Sequence, residues 1–455
     1  MTGIITGLPQ LQAALDSLAE RHQVPGASLA ILDGEEVIQL ATGVVSRATG
    51  VEATSDSLFQ IGSITKVYTT TLLMQLVDEG KVELDRPLSH YLPDLRLKGV
   101  SSPDVITVGQ LVNHTSGIVG DYFEDHGCGD DCIARYVVAL ADKAPAHPPG
   151  LMFSYSNSAF VLAGYLVEQL EGKPFHEVFD ERLRKPLGLR DTTILTEEML
   201  AYRYATGHSQ TDGSGKLEPV AEVLLPRSSV PAGGRTSATA SDVLRFAQLH
   251  LNGGVAADGT RVLSDASVKF MQQRSATTSG DPNIGRGAGW VLSSWDGERM
   301  IGHNGGTFGQ AAFLYILPDR PFAVCLLTNS DTGGGLWDDL GRWIFKEFAG
   351  VELPWPPKPL GEAHDIDLAP YAGIYERFAN HYVVEPDGKQ LLVTWTSTEF
   401  EDDAKPHLLR LDPVDRSRFV TKFGETSGVV SFLELGDNGR PQYIHVGSRS
   451  ALRAE

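Results

Sequence analysis

Ser63 and Lys66 stand three residues apart in Phe59-Gln60-Ile61-Gly62-Ser63-Ile64-Thr65-Lys66. On a helix that spacing puts a hydroxyl and an amine on one face, one turn apart. Val67, Tyr68, Leu72, Leu73, Leu76 and Val77 follow with a helical period, which predicts a helix opening at Ser63. The first amides of such a helix point toward developing negative charge. A hydroxyl beside a base and a set of amide donors suits nucleophilic attack on a carbonyl. Taken alone, the pair fits an N-cap serine and a solvated lysine better. Two further stretches shift that balance. Tyr155-Ser156-Asn157 precedes an apolar helical run, and His303-Asn304-Gly305-Gly306 precedes the strand-like run Ala311 to Leu317. Ser-x-x-Lys, Tyr-x-Asn and a basic residue-x-Gly, in that order and at this separation, are a specific signal.

These residues need a scaffold that brings both ends of a long segment together. Pro9 to His22 reads as an amphipathic helix, and Ala27 to Leu32 with Val37 to Thr42 as a hairpin turning at Asp33-Gly34. Thr107-Val108-Gly109-Gln110 has the form of a capping box, and Thr239 to Asp242 caps a helix running through His250. Residues from about 100 to 285 are mainly helical in pattern. Met300 to His303, Ala311 to Leu317 and Phe322 to Thr328 read as strands, and Trp337 to Phe348 as a closing helix. Strands at both ends of a helical middle imply an α+β fold, an antiparallel sheet flanked by helices with a mainly helical insert. Leu353 to Pro359 is a stiff Pro-rich stretch, so we divide the chain into a unit at 1–350, a linker at 351–360 and a unit at 361–455. The last has short alternating runs between turns, which suits a small β-barrel.

Ser-x-x-Lys, then Tyr-x-Asn, then a basic residue-x-Gly, in this order, resembles the serine β-lactamase-like, penicillin-binding-protein-like family. The branch is that of class C β-lactamases, D-aminopeptidases and related esterases. His114-Thr115-Ser116-Gly117, Lys185 to Leu189 and Gly233-Gly234-Arg235-Thr236-Ser237 agree with it. The resemblance implies Ser63 as nucleophile, Lys66 and Tyr155 as the groups that move its proton, and His303 where β-lactamases carry lysine, a histidine there keeping a hydrogen bond to Tyr155. It implies an oxyanion hole from the Ser63 and Gly306 amides, with Asn157, Asn304, Gly233 and Gly234 around the substrate. His114 is implied to be a structural, loop-fixing residue. The C-terminal unit resembles the lipocalin-like domain of some members, and Arg449 is then a candidate peptide contact. In its domain pair and its third-motif histidine, the chain looks most like the stand-alone penicillin-binding-protein-type thioesterases, which cyclise nonribosomal peptides. That resemblance implies a peptidyl thioester or ester substrate, a peptidyl carrier domain as partner and no cofactor. An esterase or D-aminopeptidase of the same family is the alternative, and a non-catalytic sensor is one of another class.

Composition narrows the field. The formal charge is −20, from 38 basic and 58 acidic residues, which argues against nucleic-acid and anionic-membrane partners. No run reaches the ~18–20 apolar residues of a membrane span, and Met1 to Leu8 has no basic region followed by an apolar core. We therefore expect a cytoplasmic protein. Neither a phosphate-binding loop nor a G-x-G-x-x-G occurs. Cys128 and Cys132, near His126, lack a zinc-site spacing, so no metal site is expected, and Cys325 reads as a buried small hydrophobe.

Overall fold

The computed structural model describes residues 7–99, 105–210, 216–278, 283–361, 364–398, 406–423 and 426–454. Most of the Met1 to Leu8 stretch, on which the reading of no leader rests, lies outside them. Helix α1 (Leu8–Arg21) leads into β1 (Gly26–Asp33) and β2 (Glu36–Gly43), which pair antiparallel. The chain then leaves for a helical middle containing α2 (Thr65–Asp78), α3 (Cys132–Leu140), α4 (Asn157–Glu171) and α5 (Ala240–Leu251). It returns through β3 (Ala276–Thr277), β4 (Gly285–Arg286), β5 (Val291–Trp295), β6 (Glu298–Thr307), β7 (Gln310–Leu317) and β8 (Phe322–Thr328). Helix α6 (Gly333–Ile344) then packs back on the sheet. The strand order is β2-β1-β8-β7-β6-β5-β4-β3. Ala27 of β1 lies opposite Thr328 of β8, so the two ends of the unit make one sheet.

The central strands are buried on both faces, and the period of two sorts their side chains. Ala30, Leu32, Ala323, Cys325 and Leu327 face the helical middle, whereas Leu29, Ile31, Val324 and Leu326 face α1 and α6. Helix α2 is enclosed rather than amphipathic, with every residue from Thr65 to Leu76 buried. Its threonines are satisfied by carbonyls: Thr69 donates to Pro231 at 2.7 Å, and Thr70 and Thr71 to Lys66 and Val67 at 2.8 Å. A helix buried all round holds its side chains rigidly, which suits the element carrying Lys66.

After α6 the Pro-rich stretch is partly pinned. Val351 and Leu353 join the α1–α6 core, and the Arg342 guanidinium lies 3.9 Å from the Trp355 ring centre. Eight antiparallel strands, from Gly373–Arg377 to Arg449–Arg453, then close into a barrel. Tyr375 of the first strand pairs with Arg453 of the last. Closure leaves no free sheet edge, and Tyr375, Leu391, Leu411, Phe419, Val430 and Ile444 fill the interior. Among the described residues no helix is long and apolar enough to cross a membrane.

Candidate active site

Gly62–Ile64 form one 3-10 turn that runs directly into α2, so Ser63 lies at the mouth of the helix. Lys66 Nζ donates to Ser63 Oγ at 3.0 Å, to Asn157 Oδ1 at 2.6 Å and to the Ala232 carbonyl at 2.6 Å. Those contacts engage all three protons of an ammonium. Lys66 has no solvent exposure, and this burial, followed by the Arg449 guanidinium, pushes its pKa well below the ordinary value, with Asp121 acting the other way. A neutral amine beside the Ser63 hydroxyl is thereby within reach.

Tyr155 precedes α4 rather than belonging to it. Ser156 is the N-cap, its Oγ accepting from the Ala159 amide at 3.0 Å. The Tyr155 amide donates to the Ser448 carbonyl of the barrel at 2.8 Å, and the Asn157 amide to Gly120 at 2.7 Å. Lys66 Nζ lies 4.9 Å from the centre of the Tyr155 ring. Burial pushes the phenol up to about 12, against a hydrogen bond with Ser63 that lowers it. His114 stacks on the Tyr155 ring at 4.2 Å, and its Nδ1 accepts from the Ser156 amide at 3.0 Å. Both contacts fix the Tyr155 turn.

His303 stands differently from the sequence expectation of a hydrogen bond to Tyr155. Its ring centre is 6.2 Å from that of Tyr155, and its Nδ1 is 2.6 Å from the Asn304 carbonyl. A carbonyl only accepts, so Nδ1 carries the proton and Nε2 is the basic nitrogen. Burial, then Lys66 and Arg286, bring its pKa down to about 3, and the imidazole is neutral. Asn304 is a second correction. It follows His303 on β6, so its side chain falls on the opposite face, where it is exposed and bonds Tyr315 instead of lining the cavity.

The glycines set how closely three segments approach. A Cβ on Gly305 would collide with the Ile61 carbonyl and lie 3.1 Å from the Ser63 nitrogen, and one on Gly62 would lie 2.7 Å from the Gly306 nitrogen. The Ser63 and Gly306 amides therefore belong to two backbones in direct contact, a closeness that the expected oxyanion hole needs. Gly233, at φ 112°, would collide with the Gly62 carbonyl, and Gly234 with the Ser229 hydroxyl. Gly306 has open space where its Cβ would project.

A cavity of about 570 Å³ opens over Ser63 and is lined by Tyr155, Asn157, Gly233, Gly234 and Gly306. Its other wall comes from the barrel: Arg377, Tyr382, Trp395, Val446, Gly447 and Arg449. Arg449 was expected only as a peptide contact, yet its guanidinium lies 4.9 Å from the Tyr155 ring centre and ion-pairs with the buried Asp121. Asp121, Arg377 and Trp395 escaped the sequence reading. Asp121 carries a faint signal, an acid four residues beyond Gly117, whereas nothing in sequence ties Arg377 to a site some 300 residues upstream.

Ser63 beside a buried lysine and a tyrosine on this α+β scaffold is the arrangement expected of a serine hydrolase or acyltransferase. The family model described as Beta-lactamase matches residues 11–347, and the chain belongs to that family, which resembles penicillin-binding proteins as well. Penicillin-binding protein 4 of Amycolatopsis lactamdurans is 42% identical over 369 residues, covering 80% of this chain and 97% of its own length. Unguisins hydrolase ungD' of Aspergillus campestris is 29% identical, over 94% of this chain and 87% of its own. The crystal structure of SurE with D-Leu superposes with a TM-score of 0.74 at 27% identity, over 98% of this chain and 99% of that one.

Proposed function

We propose that this protein takes a peptidyl thioester onto Ser63 and releases it as a macrocycle, the peptide's own N-terminal amine attacking the acyl-enzyme. The observation that carries the reading is the cavity made jointly by the catalytic unit and the barrel, with Arg449 placed against Tyr155 and Ser63 at its floor. A site for small esters needs no such second wall. The Ser63 oxygen attacks the thioester carbon and its proton passes to neutral Lys66. The C–S bond breaks and the thiol leaves with a proton delivered through the Tyr155 phenol, which stays protonated at neutral pH. The incoming amine then forms the C–N bond, the Ser63 ester bond breaks and the serine regains its proton. Arg449 contacts the peptide, and a carrier domain presents the thioester. Similarity to a structure holding D-Leu supports a D-residue at the acyl position.

Hydrolysis is the second reading, favoured by the match to an unguisins hydrolase across 94% of this chain. Mass spectrometry of products from a linear peptide thioester ending in a D-residue, beside a Ser63→Ala control, separates the two. Cyclic product lost in the control is the expected result. Linear acid alone would replace the cyclase reading with the hydrolase.

A further inference from the structure

The buried carboxylate of Asp121 joins the barrel to the nucleophile's lysine. Its Oδ1 accepts from Asn157 Nδ2 at 2.6 Å and from Arg449 Nη2 at 2.9 Å. Its Oδ2 faces Arg449 Nε, and Arg377 Nη1 at 3.4 Å. The side chain is only 4% exposed, so the charge survives burial through these partners. Burial alone would raise its pKa, but Arg449, Arg377 and the Asn157 amide outweigh it and hold the group below the usual carboxylate range.

An ionised carboxylate can only accept, so Asn157 must turn its NH₂ toward Asp121 and hence its carbonyl toward Lys66 Nζ. We infer that Asp121 is a positioning residue: it sets the orientation of Asn157, and through it the place and charge balance of Lys66, while tying both to Arg377 and Arg449 of the barrel. Lys66 is faced by Asn157 at the first position of α4, by Tyr155 and His114 before that helix, by His303 from β6 and by Arg449 from the barrel. Arg286 lies near the same histidines. Against these cations and neutral rings Asp121 supplies the stabilising anion. The barrel is thereby part of the electrostatics of the base as well as a wall of the cavity.

The inference rests on Ser63 being acylated with Lys66 as its base. The test is the rate of Ser63 acylation by a p-nitrophenyl ester, followed across pH in the full chain, with folding checked by thermal melting. Asp121→Asn is expected to slow acylation ~10–100-fold, the scale of a misplaced catalytic group, and to move the acid limb to lower pH, because the anion favouring the ammonium is gone. Asp121→Glu should keep the wild-type midpoint. Arg449→Ala should move it to higher pH, since a cation opposing the ammonium is removed. Arg449→Ala decides the matter if Asp121→Asn does not fold. An Asp121→Asn protein with wild-type rate and midpoint overturns the inference, as does slower acylation with an unmoved midpoint, or an Arg449→Ala midpoint that stays or falls. Wild-type protein that no ester labels overturns the serine reading and this inference with it. Labelled wild type with an unresponsive Asp121→Asn overturns the inference alone.

Discussion

The two walls of the cavity are held in different ways. On the catalytic side, Ser63 and Lys66 are one helical turn apart, and the Gly62 and Gly305 backbones touch with no side chain between them. On the barrel side, Arg377, Trp395 and Arg449 reach in on long side chains from three strands of a separate core. The first wall is local geometry plus close backbone packing, and it tolerates little change. The second is an arrangement of side chains on a closed barrel with a core of its own. On the proposed reading, bond making and breaking belong to the first wall, while the second selects the acyl group and, through Arg449, biases Lys66.

Substitutions on the two walls should have different effects. Ser63→Ala should reduce turnover by roughly 10⁴-fold or more, the scale of losing a nucleophile; a lesser loss in a steady-state assay would put the nucleophile elsewhere. Tyr155→Phe keeps the ring on His114 and loses the phenol, so kcat should fall ~10²–10⁴-fold, as for a general acid, with the melting temperature nearly unchanged. Trp395→Ala opens the barrel wall at a side chain that donates to Asn380 at 2.8 Å. It should raise KM about tenfold for a bulky acyl group while leaving kcat within a few-fold, a loss of uniform binding. A fall in kcat as large as that of Tyr155→Phe would erase the distinction between the walls.

The smallest effect concerns stability. Burial pushes His250, His303 and His445 down to about 3. Unfolded, these imidazoles protonate near pH 6.5, so between that value and about 3 the unfolded chain binds more protons than the folded one. Their contribution is fully present above pH 6.5 and is lost as pH falls. Melting curves should show a midpoint declining steadily through that window, and His250→Gln, remote from the cavity, should soften the decline without touching acylation.

The contrast also governs what could be read from the chain alone. The hairpin, the helical middle and the sheet drawn from both ends were legible, because period, caps and turns are local. So was the meeting of Ser63, Lys66 and Tyr155, whose motifs are short. Asn304 was misplaced because it adjoins His303 in sequence, whereas strand alternation puts its side chain on the other face. His303 was expected to bond Tyr155 because hydrogen-bonding capacity is visible in sequence but the carbonyl that captures Nδ1 is not. Asp121 and Arg377 gain meaning only when the barrel docks, bringing Arg377 within 3.4 Å of a residue 256 positions earlier. The Pro-rich stretch showed its stiffness but not its anchoring on α6.

Intact-protein mass spectrometry after rapid acid quench with an activated peptide ester reads out a covalent acyl-enzyme on Ser63 with Lys66 as base. A mass increase equal to one acyl group, mapped by proteolysis to the peptide containing Ser63 and absent from Ser63→Ala, is the expected result. Folded wild-type protein that gains no mass, or label that persists in Ser63→Ala, would contradict it.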